Sequence, residues 1–170
     1  MGDPAIEALQ DAIRRAAAVR SPLRIVGGGT KDFHGEKLAG DILDLRPVKG
    51  IVDYQPTELV ITARAGTPLD EIESTMRASG QMLAFEPPRF APGGTLGGAI
   101  AAGLSGPRRP YAGAARDLVL GVNVIDGTGR VLSFGGRVMK NVAGFDVSRL
   151  MTGAMGTLGA ITSVSLKCLP

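Results

Sequence analysis

The chain is predicted to be α+β and built in two lobes. Strands and helices alternate through its first half, strands dominate its second, and two glycine-rich loops stand at strand ends or helix starts. The loops are Gly27-Gly28-Gly29-Thr30 and Gly93-Gly94-Thr95-Leu96-Gly97-Gly98, with further glycines at Gly153, Gly156 and Gly159. With 44% hydrophobic and 21% charged residues among 170, there is apolar material for one globular domain or two small lobes, which excludes a disordered chain. The lobes are placed at residues 1–80 and 81–170, their boundary between Gly66 and Pro92.

Asp3-Pro4 reads as an N-cap with proline at the first helical position, and Ile6, Leu9, Ile13 and Ala17 recur at helical spacing, so a helix runs to about Arg20. Strands follow at Leu23 to Val26, Asp41 to Leu45, Gly50 to Tyr54 and Leu59 to Arg64. Thr67-Pro68-Leu69-Asp70 is read as a variant capping box, with Leu69, Ile72 and Met76 on one helical face and Gly80 as the stop. The segment from Gln81 to Pro92 is irregular. A helix of poor propensity then runs from Thr95 to about Gly103 and must be held by packing or by a ligand. Asp117 to Ile125, a turn at Asp126-Gly127-Thr128-Gly129, and Arg130 to Phe134 make an antiparallel hairpin. Asp146 to Thr152 forms a short helix, and Ala160 to Leu169 alternates as a strand.

The two loops carry the chemistry. The first follows the apolar run ending at Val26, so its backbone N–H groups can form a nest where the lack of Cβ admits a phosphate. The second opens a helix, whose unpaired N–H groups and dipole also favour an anion. One such loop alone reads as a turn; two together suggest a diphosphate gripped from both sides. The chain lacks Gly-x-Gly-x-x-Gly, which disfavours a Rossmann site, and Lys31 follows Thr30 in an order unlike the nucleoside-triphosphatase loop.

Other classes recede. A net charge of +3 is spread over scattered lysines and arginines, and two tyrosines, five phenylalanines and no tryptophan leave few rings to stack on bases, so nucleic-acid binding is disfavoured. The single cysteine, Cys168, excludes an internal disulfide and a thiolate cluster, and a reducing cytoplasm fits this usage. No apolar run reaches bilayer length and no secretion signal opens the sequence. His34, the only histidine, is expected in a polar surface turn, and no metal site is expected.

The order RIVGGGTKDF, PTELVITARAGTPLDEIE, EPPRFAPGGTLGGAIAAGLSGPRRP, ARDLVLGVNVIDGTG, VMKNVAGFDVSRLMTG and GTLGAIT resembles the FAD-binding domain of the vanillyl-alcohol-oxidase (PCMH) type. More narrowly it is similar to the FAD-binding E subunits of bacterial glycolate oxidases. The resemblance covers nearly the whole chain. It implies a small mostly parallel α/β lobe and a larger mostly antiparallel α+β lobe with FAD extended between them. On that pattern the Gly27, Gly28, Gly29 and Thr30 loop and the Thr95, Leu96, Gly97 and Gly98 helix start hold the pyrophosphate from opposite sides, and Val26, Lys31, Pro92, Gly93 and Gly94 are further cofactor-binding positions. Gly113, Arg116 and Asp117 approach the ribityl chain and isoalloxazine, while Gly159 and Ile161 offer main-chain contacts at the adenine end.

Some roles stay open at this level. Arg116 and Asp117 read equally as an ion pair joining the lobes. Arg108 and Arg109 either stabilise negative charge on a reduced flavin or lie on a solvated surface. Lys140 and Asn141 face flavin, substrate or a partner. Covalent relatives place histidine or cysteine in the first loop where this chain has Thr30 or Lys31, so the FAD is expected to be noncovalent. The family continues into a substrate cap, which is expected to be absent here.

The resemblance implies the FAD-binding portion of a 2-hydroxy-acid dehydrogenase of glycolate-oxidase type, inactive alone. Its electrons would pass to a second flavin subunit and an iron–sulfur subunit, with the chain cytoplasmic or held at the inner membrane face through those partners. No catalytic acid or base is identifiable. The alternatives are an FAD-dependent reductase of the same fold that uses NADPH, and a non-catalytic assembly module with weak flavin binding.

Overall fold

Asp3 starts the first helix as its sequence requires. In the computed structural model, which describes residues 3–136 and 145–170, its carboxylate accepts from the Ala5 N–H at 3.0 Å, and α1 (Pro4–Val19) follows with Leu9, Ile13 and Ala16 buried. The same carboxylate pairs with Arg64, a residue far along the chain, so the cap also ties α1 to a sheet.

Seven strands make two sheets. β1 (Leu23–Val26) and β2 (Asp41–Asp44) pair in parallel, while β3 (Ile51–Gln55), β4 (Val60–Arg64), β5 (Val119–Ile125), β6 (Val131–Gly135) and β7 (Ala160–Lys167) form a second sheet in the order β3-β4-β7-β5-β6. Every neighbouring pair in the larger sheet is antiparallel. The small parallel and large antiparallel sheets match the predicted class. The sheets are not divided at residue 80, however, because β3 and β4 from the first half stand in the larger sheet, with β4 against β7.

Register explains the burial. Ala63 on β4 lies opposite Val164 on β7, which lies opposite Val122 on β5, so one row of small and branched side chains crosses the sheet toward the helices. α2 (Leu69–Arg77) and α3 (Leu96–Ala102) supply Leu69, Ile72, Met76, Leu96 and Ile100, all at most 1% exposed. Burying each such side chain contributes on the order of 1.5–3 kcal/mol. The remaining helices, α4 (Arg109–Ala112), α5 (Ala115–Leu118) and α6 (Val147–Met151), are single turns. Among the described residues no helix is long and apolar enough to cross a membrane. Most of the MKNVAGFD block, with Lys140 and Asn141, lies outside the described residues.

Two local expectations are corrected. Thr67 does not cap α2: it is fully buried, its Oγ1 accepting from the Gly50 N–H at 2.9 Å and donating to the Arg64 carbonyl at 2.7 Å, because the chain must turn there between β4 and the helix. Asp117 is on α5 and not in the strand, which begins at Val119.

The β5–β6 turn is as expected. The Asp126 carboxylate accepts from the Thr128 hydroxyl, from the backbone N–H groups of Thr128 and Arg130, and from the Arg130 side chain. These bonds hold its carboxyl well below the usual range, so the stabilisation is present above the unfolded carboxylate value near 3.9 and is lost as pH falls through the lower folded value. Asp126→Ala should lower the thermal midpoint at pH 7 and shrink the difference between pH 7 and strong acid; an acid limb identical to that of the parent would show that the turn does not depend on this carboxylate.

Candidate functional site

The first loop leaves β1 with its donors unspent. Among the described residues the backbone N–H groups of Gly27, Gly28, Gly29, Thr30 and Lys31 have no acceptor, and neither have those of Gly93, Gly94 and Thr95. Eight N–H groups on two neighbouring loops need water or a ligand. The loop bends at Gly29, whose φ of +66° suits glycine, and Asp32 donates back to the Gly29 carbonyl at 3.4 Å.

The helix start behaves otherwise. Leu96 N–H donates to Thr67, Gly97 N–H to Ala65 at 2.8 Å, and Gly98 N–H to the Thr95 hydroxyl at 3.3 Å, so the α3 amino end has already spent the donors expected to face an anion. The second loop offers Gly93–Thr95 instead. The two loops also touch directly. A Cβ at Gly28 would stand 1.9 Å from the Gly93 carbonyl oxygen, one at Gly27 2.5 Å from Thr95 Oγ1, and one at Gly97 2.6 Å from the Ala65 Cβ. Glycine therefore lets backbone meet backbone at Gly28 and lets backbone meet a side chain closely at Gly27 and Gly97, which is a stricter demand than leaving room for phosphate.

A groove runs along the first loop in two stretches. An outer cavity of about 120 Å³ is lined by Val26 to Asp32, His34, Thr95 and Gly98, and an inner, mostly apolar one of about 90 Å³ by Ile25, Gly97, Met151, Met155, Gly159 and Ile161. Gly27, Thr95, Gly98 and Met155 line both, so the stretches are continuous. Gly159 and Ile161 reach it because β7 extends past the end of β4, whose pairing stops at Ser163. Pro92, Gly93, Gly94, Gly113, Arg116 and Asp117 do not line either stretch.

Charge at the loop end is unbalanced. Lys31 has no carboxylate within 4 Å among the described residues, and burial together with the neighbouring Arg89 guanidinium holds its ammonium below the ordinary lysine value. Arg89 is itself clamped by Asp70 at 2.5 Å and Glu73 at 2.8 Å on α2. A half-buried cation beside five open N–H groups suits an anion. His34 lies in the turn expected for it, its N–H bonding the Lys31 carbonyl at 2.9 Å, but it is half-buried on the outer cavity rather than fully at the surface.

The arginines resolve differently. Arg108 is engaged by Glu86, with its backbone N–H on Glu86 Oε2 at 3.0 Å and Nε 3.5 Å from Oε1, so it braces the irregular segment. Arg109 is exposed on α4. Arg116 and Asp117 are exposed and make no ion pair with each other; the Asp117 carboxylate accepts from the Ala114 N–H at 3.1 Å, beside Gly113. Sequence reasoning missed Arg89, Met151 and Met155, since nothing local marks a residue that reaches a site from another element.

Open donors, an unpaired lysine and an apolar end define a site for an elongated anionic dinucleotide. The chain belongs to the FAD binding domain family, whose model matches residues 5–135. It is 52% identical to glycolate oxidase subunit GlcE of Escherichia coli over 164 residues, which cover 96% of this chain and 47% of the relative. It is 29% identical to D-2-hydroxyglutarate dehydrogenase of Xanthomonas citri pv. viticola, over 95% of this chain and 34% of that protein. The fold matches a solved structure of alkyldihydroxyacetonephosphate synthase with a TM-score of 0.75 at 22% identity, over 96% of this chain and 30% of that one. This chain thus spans about half the length, or less, of these relatives, and the cofactor of its family is FAD.

Proposed function

We propose that the chain is the FAD-binding portion of a 2-hydroxy-acid dehydrogenase of glycolate-oxidase type. The single observation that carries the reading is the run of open N–H groups from Gly27 to Lys31, set against those of Gly93 to Thr95. Gly27 to Lys31 and Gly93 to Thr95 would hold the diphosphate, Lys31 would supply its counter-charge, and the stretch by Gly159 and Ile161 would take an apolar ring. When bound, FAD accepts the electrons of the oxidation and passes them on. The substrate is glycolate or a similar small 2-hydroxy acid. Electrons leave through a second flavin subunit and an iron–sulfur subunit, which also hold the protein at the inner membrane face. Support comes from the likeness to a glycolate oxidase subunit.

The cofactor is held without a covalent bond, since the first loop offers Thr30 and Lys31 where a linking residue would stand. Titration by flavin fluorescence should show FAD binding more tightly than FMN, because FMN brings one phosphate to donors arranged for two. After denaturation the chain should have its unmodified mass. Equal affinities would remove the diphosphate reading, and a mass increased by one FAD would remove the noncovalent one.

A further inference from the structure

We propose that Phe33 and Phe90 form the wall on which the isoalloxazine ring of FAD rests, a role that presumes the FAD reading above. The rings are 67% and 52% exposed, yet they meet edge to face with centroids 4.9 Å apart and planes at 78°. They join the same two loops that carry the open donors: Phe33 follows Lys31 by two residues, and Phe90 precedes Gly93 by three. Exposed aromatic surface costs free energy unless something covers it.

The direction of the groove names what covers it. Gly27 lines both stretches, whereas Lys31 and His34 line only the outer one, so the groove runs from the apolar inner end outward along residues 27 to 34, with the Phe33 and Phe90 rings just beyond its lining. A dinucleotide with its diphosphate on Gly27 to Lys31 has one ring system on each side. One ring enters the narrow inner stretch beside Ile161; the other leaves at residues 31 to 34. There a flat tricyclic ring finds two phenyl groups at a mutual angle, which can offer it a face and an edge together.

The test compares a ligand that carries the ribityl chain and ring with one that lacks them. FAD and ADP share the diphosphate and the adenosine end, so binding of both is measured for the parent chain and for Phe33→Leu, Phe90→Leu and the double variant. Both side chains are exposed and their replacement leaves the core intact. The expected result is a loss of about tenfold in FAD affinity for the double variant with ADP unchanged. The chain has no tryptophan, so Phe90→Trp adds a single indole, and contact with it should quench flavin emission on binding well below the parent level. Equal losses for FAD and ADP, or flavin emission in Phe90→Trp like that of the parent, would overturn the proposal. A parent chain that binds ADP but not FAD would overturn it and leave the diphosphate site standing; binding of neither would remove that site and the wall with it.

Discussion

Gly28→Val should abolish FAD binding and lower the thermal midpoint as well. The added Cβ would overlap the Gly93 carbonyl at 1.9 Å, and backbone cannot swing aside as a side chain can, so the two donor loops must separate. Overpacking of this kind costs about 1–3 kcal/mol of stability. Separation also removes several charge-assisted bonds, each contributing on the order of 1.5–3 kcal/mol, so affinity should fall by more than about 100-fold. Gly97→Val should behave alike, through Ala65 at 2.6 Å. Gly127→Ala is the control, because nothing lies within 4 Å of its Cβ and its backbone is not in the left-handed region. Calorimetry and flavin titration of the three variants decide the matter. If Gly28→Val kept parental affinity, the loops would not be coupled through this contact.

Lys31→Gln should weaken FAD by about 10- to 100-fold without destabilising the chain, since the lysine has no protein carboxylate to lose and the lost bond is one to a charged group. The pH dependence follows from its depressed ionisation. On the proposed reading protonated Lys31 binds the diphosphate; because burial and Arg89 lower its value from 10.5, affinity should begin to fall at a lower pH than an ordinary lysine would allow. Between about pH 7, above the second ionisation of a terminal phosphate near 6, and that window, affinity should be flat. Lys31→Arg should keep the affinity and remove this alkaline limb, as guanidinium stays charged. ADP serves as titrant, which keeps the ionisation of the flavin ring out of the profile. A limb that persists in Lys31→Arg would assign the titration to another group.

The helices and strands were legible wherever a local pattern enforces them. Asp3-Pro4 with apolar residues at helical spacing fixes α1, and Asp126-Gly127-Thr128-Gly129 fixes the hairpin, because each signal acts between near neighbours. Sheet membership was not legible. Val60 to Ala63 are all buried, so β4 has no alternating pattern to show a solvent face, and its partner β7 lies about a hundred residues away. Glycine clusters revealed both loops but not why the glycines are there: contact between Gly28 and Gly93 is long-range, as are the bonds by which the Ala65 and Thr67 carbonyls accept from the α3 amino end. Lys31 was visible as a candidate, whereas Arg89 was not, since its place follows from Asp70 and Glu73 on another helix.

The place of β7 has a consequence for how the molecule is assembled. It follows β3 to β6 in sequence yet stands in the middle of the larger sheet, so the hairpins β3–β4 and β5–β6 each wait with an open edge until it is synthesised. Such edges invite pairing with other chains, and closing them requires contacts distant in sequence, which slows folding. The same event brings Gly159 and Ile161 to the groove. Closure of the sheet and completion of the groove are thus one step at the ribosome: a nascent chain short of β7 has neither a closed sheet nor the inner stretch of the groove, and on the proposed reading cofactor loading follows the emergence of that strand.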